Sequence, residues 1–170
     1  MNEYELYHHG IKGMKWGVRR YQNADGSLTS AGKSRYNTNK MLVRNESAAA
    51  KSSAEKSRKT AQAYYDSASK MRKDGKSALD RKYGKTMSDD EKQAAVDIAS
   101  KKREAEGKWH ESRAVGQEFY VNKLSKLDLQ TMTTKEVNRS MKKSQKEAEE
   151  FANKYFDDWA NLQLKNKKNG

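Results

Sequence analysis

Between residues 43 and 71 the chain places Val43, Ser47, Ala50, Ala54, Ser57, Ala61, Tyr64, Ala68 and Met71 at alternating spacings of four and three. That period keeps one stripe of an α-helix turned in a constant direction, in a heptad-like pattern. Most of the stripe is small. Small side chains let a neighbouring helix come close, yet they remove little apolar area from water, so such a helix is marginal alone. No proline stands anywhere in the chain to interrupt it. The stripe predicts long, closely packed helices around a thin core.

Composition agrees. Leu, Ile, Val and Phe together number 20 of 170 residues, and the formal net charge is +13. Those values argue against a large sandwich or barrel, and against an enzyme built around a deep apolar pocket. Ala, Glu, Lys, Arg and Leu together make 76 of 170, close to the level of long helices and coiled coils. The charge excess is uneven: residues 37–76 carry ten basic and four acidic groups, whereas residues 77–107 carry seven of each. A basic surface attracts polyanions or acidic proteins, or is simply a solvated helix face. No cysteine is present, which removes disulfides and sulfur-bound zinc. No apolar run approaches the roughly 20 residues that a membrane span requires, so no membrane role is expected. The polar, acidic start Met1-Asn2-Glu3-Tyr4-Glu5 does not read as a secretory signal.

Local signals divide the chain. Ser88-Asp89-Asp90-Glu91 and Thr133-Thr134-Lys135-Glu136 are capping boxes, each starting a helix. The first leads a stripe of Ala95, Ile98, Ala105, Trp109, Gly116, Phe119, Tyr120, Leu124 and Leu127, weakened at Gly107 and Gly116. The second leads Val137, Met141, Ala148, Ala152, Tyr155, Trp159 and Leu162, the richest apolar face in the chain, suited to a core or an oligomer seam. Residues 127–132 form a short loop, which favours antiparallel neighbours. Breaks are expected at Asp74-Gly75-Lys76 and at Tyr83-Gly84-Lys85. The expected class is mainly α: a small N-terminal module over residues 1–36, a basic helical segment over 37–87, a helical hairpin over 88–165 and a frayed tail over 166–170. The helices would form a thin bundle, a hairpin or a coiled-coil-like arm, with homo-oligomerisation through them open.

The N-terminal module differs in kind. Gly10, Gly13, Gly17, Gly26 and Gly32 lie there with Tyr4, Tyr7, Trp16, Tyr21 and Tyr36. Glycines permit tight turns, and aromatics can fold over them. A short β-hairpin is expected, residues 18–22 against 27–29, turning through Asn23-Ala24-Asp25-Gly26. Thr29 then suits the N-cap of a short helix through Ser30–Tyr36.

The run His8-His9-Gly10-Ile11-Lys12-Gly13-Met14-Lys15-Trp16-Gly17-Val18-Arg19-Arg20-Tyr21-Gln22-Asn23, continuing through Asp25-Gly26-Ser27-Leu28-Thr29, resembles a motif of tailed-phage and prophage proteins. These are structural or head-morphogenesis-associated proteins of Gram-positive bacteria. Ala24 and Ser30 stand where that motif commonly has proline. The likeness covers residues 6–36 only. It implies a phage context, with the virion or the host-cell cytoplasm as location, more firmly than it implies an activity.

Candidate functional residues follow. Tyr7, His8, His9, Lys12, Lys15, Trp16, Arg19, Arg20 and Tyr21 form a basic and aromatic cluster able to dock on a phage or host protein, to hold nucleic acid, or to pack internally. Lys51, Lys56, Arg58, Lys59, Lys70, Arg72, Lys73 and Lys76 could follow a phosphate backbone without reading sequence. His8, His9 and His110 are the only histidines and show no zinc-ligand spacing. No nucleophile elbow or phosphate loop is present. The expectation is a non-enzymatic protein without cofactor or metal, acting in phage structure or assembly. The alternative is a basic helical nucleic-acid binder, a regulator or a counter-defence inhibitor of a host nucleoprotein.

Overall fold

The computed structural model describes residues 21–23 and 25–168, with side chains as far as residue 165. Three long helices make the body: α1 spans Ser30–Tyr83, α2 Asp89–Ser125 and α3 Thr134–Lys168. A single 3₁₀ turn, Gly84–Thr86, lies between the first two. With 54 residues, α1 is about 80 Å long at 1.5 Å per residue. α2 runs back along α1, as successive ion pairs show: Arg58 to Glu118, Arg72 to Glu104 and Asp80 to Lys92. α3 returns along α2 and meets α1 at only a few points. None of the described helices is long and apolar enough to cross a membrane.

The helix starts follow the sequence signals. Thr29 caps α1, its hydroxyl accepting the Gly32 N–H at 3.1 Å. Ser88 and Glu91 form a reciprocal box at α2, with bonds of 3.2 and 2.7 Å. Thr133 and Glu136 do the same at α3, at 3.2 and 2.8 Å. Asp128 shapes the α2–α3 connection by accepting from the Gln130 N–H and the Thr131 hydroxyl.

One expected break is present and the other is not. Gly84 takes a φ of +52°, a conformation glycine tolerates best, and ends α1. The helix runs unbroken through Asp74, Gly75 and Lys76. Gly75 is there for packing: a Cβ on it would stand 2.8 Å from Val96 Cγ2. Gly107 is closed by the Tyr65 ring and the Ala61 carbonyl, and Gly116 by Ala152 and the Ala148 carbonyl. These three glycines mark close helix approaches, α1 to α2 twice and α2 to α3 once.

The thin core is confirmed. Val43, Ala50, Ala54, Ala61 and Ala68 are buried along the expected stripe of α1. A hydrophobic cluster lies where α1 begins, α2 ends and α3 starts, and includes Val43, Tyr120, Leu124 and Val137. The stripe expected on the first half of α2 is corrected. Ile98 is 70% exposed and Trp109 45%, whereas Val96, Ser100, Gly107 and Ala114 are buried. Close contact with α1 selects small residues along the first half of α2, and Ile98 and Trp109 remain outside. On α3, Val137, Ala148 and Ala152 are buried, but Leu162 is 57% exposed.

At the N-terminal end an isolated antiparallel bridge pairs Gln22 with Leu28, and Gly26 turns at φ +83°. Asn23 N–H donates to the Ser27 carbonyl at 2.8 Å. No strand occurs among the described residues. Residues 18–20 of the expected hairpin lie outside them.

Candidate functional site

Of the N-terminal cluster, Tyr21 is described. Tyr7, His8, His9, Lys12, Lys15, Trp16, Arg19 and Arg20 lie outside the described residues. The Tyr21 carbonyl accepts the Thr29 N–H at 3.0 Å and sits against Gly32, which leaves no space for a Cβ there. The Arg35 guanidinium stands 4.1 Å from the Tyr21 ring centroid and donates to the Gln130 carbonyl of the α2–α3 connection. One turn on, buried Asn39 donates to the Met132 carbonyl at 3.1 Å and accepts from the Thr134 hydroxyl at 2.9 Å. Tyr21 thus sits at the end where all three helices are tied together.

The α1 cations divide into two sets. Arg58 pairs with Glu118, Lys59 with Glu55, Arg72 with Glu104 and Lys76 with Asp89. Arg58, Arg72 and Lys76 thereby clamp α2 and are committed to the fold. Lys51, Lys56, Lys70 and Lys73 are exposed and have no ion-pair partner among the described residues.

Two assemblies were not anticipated from the sequence. The first is a polar clasp joining all three helices. Tyr65 of α1 and Tyr155 of α3 each donate to Glu111 of α2 at 2.7 Å. Lys108 lies 3.2 Å from both Glu111 oxygens and 2.9 Å from the Tyr155 hydroxyl. Burial raises the Glu111 carboxyl, but the bonds from Tyr65, Tyr155 and Lys108 outweigh it and hold the group below its ordinary value. Burial, then Glu111, pushes the Tyr65 hydroxyl up. Glu111 is therefore ionised and saturated with donors at neutral pH. That suits a fastening between helices, not proton abstraction from a substrate. Periodicity gives no signal for it, because Glu111 and Lys108 look like ordinary surface charges.

The second is a groove with α2 as its floor and α1 and α3 as its walls. Its upper cleft, about 400 Å³, is bordered by Glu46, Ser53, Arg113, Tyr120 and Glu149. Its lower cleft, about 440 Å³, is lined by Tyr64, Lys102, Glu106, His110 and Phe156. Trp109 belongs to both. His110 stacks on Tyr64 at 5.4 Å and meets Trp109 edge-on at 4.8 Å, while Arg113 lies 5.0 Å from the Trp109 ring. The exposed Trp109 was the available signal, though the sequence placed it in a buried stripe.

Residues 2–23 match a family of unknown function, DUF7211. That span holds the whole N-terminal cluster and stops two residues beyond Tyr21. No curated protein and no solved structure matches the chain.

Proposed function

We propose that the chain is a non-enzymatic structural or assembly-associated protein of a tailed phage, acting through protein–protein contacts. The phage context rests on the resemblance of residues 6–36. The observation that carries a docking role is the anchorage of Tyr21. Its carbonyl on Gly32 and its ring under Arg35 hold this last residue of the cluster against the start of α1. In this reading Tyr7, His8, His9, Lys12, Lys15, Trp16, Arg19, Arg20 and Tyr21 engage a phage or host protein, and the helices act as an arm. Fractionation of infected cells tests it. The chain should sediment with particles or assembly intermediates, and removal of residues 1–20 should abolish this while helical content is kept. Absence from both fractions rejects it.

A second reading, non-specific nucleic-acid binding, is favoured by Lys51, Lys56, Lys70 and Lys73, which lack ion-pair partners among the described residues. It requires duplex binding that weakens steeply with salt. No binding at about 50 mM salt rejects it, since several phosphate contacts would be visible there.

A further inference from the structure

We infer that the groove over α2 is a self-pairing surface that receives a second copy of this chain in antiparallel, two-fold register. This does not depend on the phage reading.

The face is depleted of charge. Of the 54 residues of α1, 19 are charged, yet of the α1 residues that line the groove, Glu46, Ala49, Ala50, Ser53 and Tyr64, only Glu46 is. A chain with net charge +13 repels its own copies over most of its surface, and least across such a lining. Aromatic residues and few charges at the centre are the marks of a protein interface. Trp109 supplies an exposed anchor there.

The few charges are arranged so that the face complements itself. At one end stand Glu46, whose carboxylate accepts from the Tyr120 hydroxyl at 3.3 Å, and Glu149, beside Gly116. Neither has a cationic partner among the described residues. At the other end stands Lys102, exposed and likewise without an ion-pair partner among them. About 27 Å of α2 separates Lys102 from Tyr120, and Trp109 lies near the middle. A two-fold axis through Trp109 brings Lys102 of each copy to Glu46 and Glu149 of the other. It also brings Arg113 to Glu106 and each Trp109 to its counterpart. Isologous contacts of this kind close on themselves.

The size is sufficient. From Glu46 to Tyr64 the face runs about 27 Å along α1, and three adjacent helices span about 20 Å. Roughly 540 Å² per copy is then covered, or about 1,100 Å² over both copies, above the roughly 1,000 Å² in total that a specific interface should clear.

Sedimentation equilibrium of the full chain, from about 1 to 100 μM, tests this. Wild type should reach twice its 19.5 kDa mass. Trp109→Glu should weaken pairing about 30-fold or more. Lys102→Glu should weaken it too, and Lys102→Glu combined with Glu149→Lys should restore it. Circular dichroism checks folding, and the exposed Lys102 keeps the test open should Trp109→Glu unfold. A wild-type chain that stays monomeric, with or without some other protein bound in the groove, overturns the proposal. A dimer indifferent to both single substitutions does so as well.

Discussion

Tyr65 and Tyr155, on helices that scarcely touch, donate their hydroxyls at 2.7 Å to the two oxygens of one carboxylate, Glu111. The bond pair makes α1 and α3 dependent on a single side chain of the helix between them. Replacing Glu111 with Ala strands Lys108 and two phenols, and should cost about 2–3 kcal/mol in urea unfolding. Tyr65→Phe removes one bond and keeps the ring, and should cost about 1 kcal/mol.

The same group sets a pH response. Because the Glu111 carboxyl is held below its ordinary value of 4.5, its stabilisation is complete above that value. It is lost as pH falls through the lower folded value. Thermal unfolding between about pH 5 and 2 should show a flatter decline in Glu111→Gln than in wild type. At the alkaline end burial, with Glu46 adding to it, pushes the Tyr120 hydroxyl up to about 12. Tyr65 moves in the same direction. Both contributions are present below the ordinary 10.0 and fade as pH rises past it, and Tyr120→Phe should blunt that loss.

Gly116 gives a prediction opposite in sign to helix propensity. Alanine in an exposed helix position gains about 1 kcal/mol over glycine. Here a Cβ would lie 2.8 Å from Ala152 Cβ and 2.9 Å from the Ala148 carbonyl, and the second neighbour is backbone. Gly116→Ala should therefore lower stability, by about 1–3 kcal/mol, as α3 is pushed away. A gain in the midpoint of denaturant unfolding would contradict this close approach.

Asn39 is fully buried and serves both the Met132 carbonyl and the Thr134 hydroxyl. Asn39→Leu leaves both groups unpaired and should cost about 2–3 kcal/mol. Amide hydrogen exchange should quicken first in the α2–α3 connection, since that is what Asn39 ties down.

Ser88→Ala removes the hydroxyl that accepts the Glu91 N–H and should cost about 1 kcal/mol. The loss should fray the start of α2, where buried Lys92 pairs with Asp80 of α1 at 2.7 Å.

The sequence by itself determined the helices, their starts and the buried stripe of α1. These depend on neighbours within a few residues: Thr29, Ser88 and Thr133 cap locally, and alanines three and four apart share a face whatever packs on it. Gly84 as the end of α1 belongs to the same class. Tertiary structure alone decided which side of α2 is inside. Propensity and hydrophobicity favour Ile98 and Trp109 for the core, but along this part of α2 it is Val96, Ser100, Gly107 and Ala114 that are buried. It also decided that Gly75 is a packing notch and not a break, and that Glu111 and Lys108 join three helices. Each of these is settled by a residue far away in the chain, and the distance between helix axes is not written in the spacing of either helix alone.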